Sequence, residues 1–452
     1  MRERETVLVV DGGGRGAALV DKYAESPHVK RVIAVPGNDL MQDNSHKPVQ
    51  IYPRLKTTSI PEILEICQKE NVNLVDVAQD NAVEAGLVDK LQAMDISVVG
   101  PTKAAGQIEW SKAWAREFGE RQSIPQPSFK ICLSQREGID YLKSQPDQPW
   151  FVKASGLAEG KGALSASNNK EAIERVLEME RFKEAGKVFL IEKWLRGDDD
   201  SAGEEFSAYI LSDGENYKTI GSAQDYKRAN DHDQGENTGS MGCNSPALVL
   251  TERLLQETEI NIFNKAIAGL KEMGRPYKGV LYLGGMVIRE GGRQRPYVIE
   301  FNARWGDPEA QTIVPGLIND FFEVGMAVAN GDIRNLKLQT DGKSRVVVAG
   351  ASKGYPGNYE AVKGKQIFGI KEARKVKGVR FYSAAIKENR GRHYANGGRL
   401  FYIVGEGNNV IEAQERAYEA MSFIAIEENN LHYRTDIGWK DIQRLRFPYF
   451  GS

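Results

Sequence analysis

Short apolar runs alternate with helix-sized amphipathic segments through the first hundred residues. Val7 to Val10, Arg31 to Val35, Asn73 to Val77 and Ile96 to Gly100 have the length and continuity of buried strands. Strands of this kind, separated by helical segments, predict a parallel sheet with crossover helices. One helix start is explicit. Ser59-Ile60-Pro61-Glu62 reads as a capping box with proline in the first turn, and Ile60, Ile63, Leu64 and Cys67 then recur at helical spacing. Gly100-Pro101 closes the unit and puts a boundary near residue 105. A further helical stretch, through Lys103, Ile108, Trp110, Lys112 and Trp114, runs on toward Pro125 and Pro127.

Glycine-rich and charged loops fill the next part of the chain. Beyond residue 336, strands Ser344 to Ala349 and Arg399 to Val404 precede a helix whose Val410, Ala413, Ala417 and Met421 form one stripe. The pattern predicts a multidomain chain of α/β and α+β type in three parts: 1–105, 106–335 and a smaller α+β domain at 336–452. Together these use the full length and predict no further fused domain.

Composition narrows the class. The 452 residues are 41% hydrophobic, ample core for three domains. With 60 Lys plus Arg against 62 Asp plus Glu, there is no basic excess. That argues for small-molecule partners, with no nucleic acid and no membrane. No run approaches the roughly 18 apolar residues of a membrane span. The charged start, Met1 to Glu5, leads straight into the first strand and reads as no signal peptide and no anchor. Cys67, Cys132 and Cys243 are isolated and the five histidines scattered, which fits a cytoplasmic protein without a disulfide framework or transition-metal site.

Candidate chemistry begins with Asp11-Gly12-Gly13-Gly14-Arg15-Gly16-Ala17, which follows the first strand and matches G-x-G-x-x-A. Glycines there let a backbone approach a phosphate at a helix N-terminus. The second strand ends Val35-Pro36-Gly37-Asn38, without the acid that holds a dinucleotide ribose. A sugar-phosphate site or a bare structural turn therefore stands ahead of a dinucleotide site. A second loop runs from Phe151 to Gly162. It is not a Walker A loop, because three residues separate Gly156 from Gly160 and Gly162 stands where a hydroxyl residue would hold Mg²⁺. A strand ending in Lys153, followed by Gly156, Gly160, Lys161 and Gly162, can fold amides and ammonium groups over a triphosphate. A hairpin with a solvated lysine is the plainer alternative.

Val188 to Leu195, followed by Gly203-Glu204-Glu205-Phe206-Ser207, is either an ordinary strand pair or an edge offering backbone groups to an adenine and an acid to a ribose. The strongest constellation is Val298 to Glu309. In a strand, Glu300 and Asn302 share a face, about 7 Å apart along the chain, as two hard oxygen ligands for Mg²⁺. Arg304 continues the series as a fixed cation for phosphoryl transfer. A salt-bridged surface strand is the alternative. The polar segment Gln224 to Asp231, leading to Gly242, reads as functional or as solvated charge.

Taken in order from Val7 nearly to the C-terminus, these segments resemble the ATP-grasp superfamily and, within it, the phosphoribosylamine–glycine ligases. The resemblance also rests on Gly100-Pro101-Thr102-Lys103-Ala104-Ala105, Asn237 to Gly242 and Asn396-Gly397-Gly398-Arg399. It implies an N-terminal Rossmann-like domain, a central ATP-grasp fold with a lid at about 125–195, and a small C-terminal domain. It further implies ATP with Mg²⁺ or Mn²⁺, the substrates glycine and 5-phosphoribosylamine, a glycyl phosphate intermediate, and a monomer or weak dimer. No protein nucleophile is needed, so the absence of a Ser-His or Cys-His pair is expected.

Residue by residue, Lys112 and Lys153 look like the lysines on the ATP phosphates, with Gly156, Gly160, Lys161 and Gly162 as the lid. Glu192, Lys193 and Leu195 look like the adenine segment, the last two through backbone groups, and Glu205 like the ribose acid. Glu300 and Asn302 match the metal ligands. Arg304, Asp307 and Asp225 are the catalytic candidates. Asn237, Thr238, Gly239, Met241 and Gly242 lie where sugar phosphate and glycine are held, and Gly13, Gly14, Arg15, Gly37, Asn38 and Asp80 would help bind phosphoribosylamine. Two segments depart from the family. Its Gly-Gly-Arg-Glu-His-Ala is here Gly13-Gly14-Arg15-Gly16-Ala17-Ala18, and its Gly-Pro-Glu-x-Pro is Ala78-Gln79-Asp80-Asn81-Ala82. These leave open an ATP-grasp ligase with a different amine or sugar-phosphate acceptor.

Overall fold

Val7, Leu8, Val9 and Val10 are all fully buried, because their sheet is covered on both faces. Val7 and Val9 enter one core cluster, Leu8 and Val10 another. The computed structural model describes residues 5–158 and 161–447. The N-terminal sheet is wholly parallel and built from Glu5–Val10, Val29–Ala34, Val49–Ile51, Leu74–Val77 and Ser97–Val99, in the order third, second, first, fourth, fifth. Val49–Ile51 carries no readable pattern, because Gln50 interrupts its apolar residues.

The helix Ile60–Lys69 starts where predicted, but Ser59 makes no capping hydrogen bond; its Oγ accepts from the Lys56 N–H at 3.0 Å. The helical stretch predicted after residue 103 is two helices, Lys103–Trp110 and Lys112–Arg121, broken at Ser111. The break has a physical cause. Ser155 takes the first-turn amides of the second helix, Lys112 N–H on its carbonyl at 2.9 Å and Ala113 N–H on its hydroxyl at 3.0 Å.

Two sheets follow. A four-stranded antiparallel sheet of Phe129–Cys132, Phe189–Lys193, Trp150–Ala154 and Ala163–Ala166 forms one jaw. The other jaw belongs to a larger sheet that starts with Arg293–Asn302, Lys278–Glu290, Glu204–Asp213 and Tyr217–Asp225. This sheet continues through Gly242–Ser245 into the C-terminal strands Ser344–Ser352, Arg399–Gly407 and Val379–Ser383. The C-terminal segment thus shares its main sheet with the central part. Its helix Val410–Met421 buries Val410, Ala413, Ala417 and Met421 on that sheet. Among the described residues, no helix is long and apolar enough to cross a membrane.

Candidate active site

A cavity of about 1110 Å³ lies between the two jaws. That exceeds the roughly 300–1,000 Å³ of a typical small-molecule pocket, as a nucleotide plus a second substrate would require. Lys153 and Glu192 line it from the smaller sheet, Leu195 from just past the end of that sheet, and Glu205, Asp225, Glu300 and Asn302 from the larger. Asp80 reaches it from the N-terminal part. Lys440 and Arg444 reach it from the helix Trp439–Arg446, a contribution not anticipated from sequence.

Glu192 is the hub of the smaller jaw. Its carboxylate is 2% exposed and accepts from Lys153 Nζ at 2.6 Å and from Arg116 Nε at 2.7 Å and Nη2 at 3.1 Å. Burial opposes its charge, but Arg116 and Lys153 hold its pKa down to about 2. Arg116 also donates to the carbonyls of Val298 (3.3 Å) and Ile299 (2.6 Å), tying this jaw to the strand that bears Glu300. Arg116→Met is expected to cost about 3 kcal/mol, because it leaves the buried Glu192 carboxylate with Lys153 as its remaining cationic partner. A urea midpoint shift at unchanged slope would measure it. The sign follows from the depressed pKa: the deficit should be full above the ordinary 4.5 and narrow as pH falls toward 2.

Lys112 donates to the Gly156 carbonyl at 3.3 Å, and burial lowers its pKa. Residues 155–162 connect two antiparallel strands, with Ala154 N–H on the Gly162 carbonyl at 2.8 Å. Lys161 is exposed and outside the cavity wall, and Gly160 lies outside the described residues. The Lys193 N–H is taken by Ser128 at 3.0 Å, whereas the Leu195 N–H has no acceptor among the described residues. Its place on the wall suits the edge of a heterocycle.

Glu300 and Asn302 both line the cavity from Arg293–Asn302, opposite Gly284 and Tyr282 of the neighbouring strand. The strand ends there, yet Arg304 turns back, its Nη2 donating to Asn302 Oδ1 at 3.1 Å and its Nε lying 3.2 Å from Glu109 Oε1. Burial pushes the pKa of Glu109 up to about 7 against the pull of Arg304. The Glu300 carboxylate is half-buried and makes no hydrogen bond among the described residues; burial opposes its charge, but Lys227, Lys112, Lys153 and Arg304 keep its pKa low. Asn302 Nδ2 is buried without a partner. An ionised carboxylate and an amide oxygen on one face fit a divalent ion that completes its shell with phosphate oxygens and water. No three His, Cys, Asp or Glu side chains gather as a metal cage among the described residues.

Glu205 is exposed at the rim, 3.0 Å from Lys227, whose ammonium lowers its pKa. Asp225 accepts from the Ser240 hydroxyl, and burial, then the charge of Glu309, push its pKa up to about 7. Asn237, Thr238 and Gly239 line the cavity beside it, whereas Met241 and Gly242 are buried in the joint between the central and C-terminal strands. The Asp307 carboxylate lines the cavity but is already engaged, by Arg399 Nη2 at 2.8 Å, the Tyr402 hydroxyl at 3.0 Å and Gln311 Nε2 at 2.6 Å.

The N-terminal candidates divide. Asp80 faces the cavity, but Gly13, Gly14, Arg15, Gly37 and Asn38 do not line it. Asn38 spends its amide on the carbonyls of Gly12 and Ser383, both at 3.1 Å, and its oxygen accepts from the Ser383 hydroxyl. Gly14 faces the Tyr402 ring with no space for a Cβ, and the Gly37 N–H goes to the Asp11 carbonyl at 3.1 Å. Arg15 is buried against Asp11. Sequence reasoning assigned no role to Glu109, Arg116, Lys227 or Arg399, although Lys227 and Arg399 lie in segments it singled out. For Arg116 a signal existed, since it lies four residues after Lys112 on one helix face.

The chain matches models of the N domain (residues 5–109), the ATP-grasp (A) domain (110–310) and the C domain (345–440) of phosphoribosylglycinamide synthetase. It is 35% identical over 434 residues to a phosphoribosylamine–glycine ligase of Caldanaerobacter subterraneus subsp. tengcongensis, covering 95% of this chain and 99% of the relative. For the ligase of Escherichia coli K12 the identity is 34% over 441 residues, with 97% and 99% covered. A trifunctional purine biosynthetic protein adenosine-3 of Bos taurus is 36% identical over 98% of this chain, which spans 42% of that longer protein. The crystal structure of phosphoribosylamine–glycine ligase from Thermotoga maritima superposes with a TM-score of 0.79 at 28% identity, covering 96% of this chain and all of the other.

Proposed function

The chain belongs to the phosphoribosylglycinamide synthetase family, and from that premise we propose that it joins glycine to 5-phosphoribosylamine while converting ATP to ADP and phosphate. The observation that carries this reading is the single cavity in which Lys112, Lys153, Glu300, Asn302 and Arg304 meet Asp225 and Asp80. In the first step a glycine carboxylate oxygen attacks the γ-phosphorus of ATP and ADP leaves, giving glycyl phosphate. The amine nitrogen then attacks the acyl carbon, phosphate departs, and a protein base takes the excess proton.

Lys112 and Lys153 offset triphosphate charge, the Leu195 N–H meets the adenine, and Glu205 takes ribose hydroxyls. Arg304 faces the transferring phosphoryl group. Glu300 and Asn302 would hold Mg²⁺ or Mn²⁺, which supplies further charge neutralisation and orients phosphate oxygens. Cytoplasmic location and a monomer or weak dimer complete the proposal.

Asp225 is the base in this scheme, since a carboxylate with a pKa near 7 is ionised enough to accept a proton and basic enough to hold it. The limb of kcat/KM should therefore rise with pH through about 7, where Asp225 loses its proton, and Asp225→Asn should flatten it. A rising limb that persists in that variant would assign the base elsewhere.

The overall reaction is tested by ADP release with Mg·ATP and glycine, with and without phosphoribosylamine made in place from ribose 5-phosphate and ammonia. Dependence on both, with the amide product seen by mass, supports the proposal. ADP release indifferent to phosphoribosylamine overturns it. A different amine acceptor is the second reading, favoured by the engagement of Arg15 and Asn38 within the protein; other amines in the same assay separate the two.

A further inference from the structure

The scheme above gives no task to the glycine-rich turn or to Asp76, an acid 1% exposed on the strand Leu74–Val77. The Asp76 carboxylate accepts from the Tyr23 hydroxyl at 2.9 Å and from the Trp305 indole N–H at 3.2 Å to one oxygen and 3.4 Å to the other. At the other end of the same residue, the Trp305 carbonyl accepts from two guanidinium groups, Arg15 Nη1 at 2.7 Å and Arg304 Nη1 at 3.2 Å. One cation comes from the N-terminal turn and the other from the site of phosphoryl transfer.

The turn is built to hold Arg15. Asp11 accepts from Arg15 Nε at 2.7 Å through one oxygen, and through the other from the N–H groups of Gly13 (2.5 Å) and Gly16 (3.3 Å). A Cβ at Gly16 would stand 2.7 Å from Asp11 Cβ, so the glycine that departs from the family's acid makes room for the acid at 11. Amides that would otherwise face a phosphate are filled by this internal carboxylate. Around the indole, Trp305 packs on Phe321 at 6.0 Å between centroids, and Phe321 on Tyr23 at 4.8 Å. The N-terminal part therefore grips Trp305 by side chain and by carbonyl.

We propose that Asp76 and Arg15 are positioning residues that clamp Trp305 at both ends and thereby fix the Arg304 guanidinium and the Gly306-Asp307 turn for reaction. The catalytic consequence rests on the ligase reading, whereas the clamp itself does not. Both parts follow from one geometry. With either grip removed, the shared carbonyl can rotate, and a displacement of about 1 Å at a reacting group can cost about 100-fold in rate.

The test compares Asp76→Val, which leaves the indole N–H without an acceptor, with Asp76→Asn, which keeps one. Asp76→Val is expected to lower kcat about 100-fold with KM for ATP within about threefold, and Asp76→Asn to retain activity within about threefold. Combined with Trp305→Phe, which cuts the same link from the other side, Asp76→Val should lose no more than the worse single variant. Without any substrate, amide hydrogen exchange of the peptide 303–311 should quicken in Asp76→Val while Gly14–Glu25 keeps its protection. Unchanged exchange at 303–311, additive losses, or equal activity of the Val and Asn variants would overturn the proposal. Should Asp76→Val fail to fold, Trp305→Phe carries the same exchange and kcat readouts. A wild type inactive toward phosphoribosylamine would sink the ligase reading and leave the clamp to be judged by exchange.

Discussion

Glu300→Gln is expected to reduce turnover by about 10²–10³-fold while nucleotide still binds in the absence of divalent metal. The substitution keeps size and polarity and removes one negative charge. In the wild type that charge persists although burial opposes it, because Lys227, Lys112, Lys153 and Arg304 surround it. Such a ring of cations has one obvious surplus: it attracts phosphate even with no metal present. Neutralising Glu300 should therefore leave metal-free ATP affinity intact or raise it. What the substitution removes is a hard anionic ligand, so the concentration of Mg²⁺ needed for half-maximal rate should rise steeply. Titrating ADP release with Mg²⁺ and measuring ATP binding in chelator separates the two effects. A variant that keeps both the wild-type Mg²⁺ requirement and more than about a tenth of the wild-type rate would remove Glu300 from the metal site.

The pair Glu300 and Asn302 was legible because a strand repeats every two residues, so spacing alone puts them on one face. The same local logic exposed the parallel sheet, whose strands read as unbroken apolar runs, and the buried stripe of Val410–Met421. Partners distant in sequence were not legible. Arg116 reads as an ordinary helical charge until Glu192, 76 residues on, closes over it. Glu109 meets the Ala303 amide across 194 residues, and Arg399 meets Asp307 across 92. No periodicity records such pairs, because only the completed fold brings the groups into one low-dielectric space. The glycine-rich turn stayed open between a phosphate site and a structural turn. Its pattern of small residues is the same whether the amides face a phosphate or an internal carboxylate, and Asp11, the residue that decides, precedes the motif's first glycine. The joint between central and C-terminal strands escaped for a simpler reason: Gly242–Ser245 reads Gly-Cys-Asn-Ser and carries no apolar run.

Arg304→Ala is expected to lower kcat by about 10³-fold while leaving KM for ATP within about threefold. The guanidinium is held by three acceptors, Glu109 at 3.2 Å, Asn302 Oδ1 at 3.1 Å and the Trp305 carbonyl at 3.2 Å. A cation fixed in this way needs little reorganisation when charge develops on a transferring phosphoryl group, so its contribution belongs mainly to the transition state. Ground-state binding has other cations to draw on, Lys112, Lys153 and Lys227. The fold should survive the change because Glu109, already pushed up to about 7 by burial, loses the charge that restrains its pKa and takes a proton instead of standing as a bare buried anion. Arg304→Lys should rescue little, since one ammonium on a flexible stem cannot reproduce the planar fork that reaches all three acceptors. Free guanidinium added to the alanine variant should restore part of kcat without altering KM. Equal losses in ATP affinity and turnover would make Arg304 a binding residue, and the stabilisation of the phosphoryl group would then fall to Lys112 and Lys153.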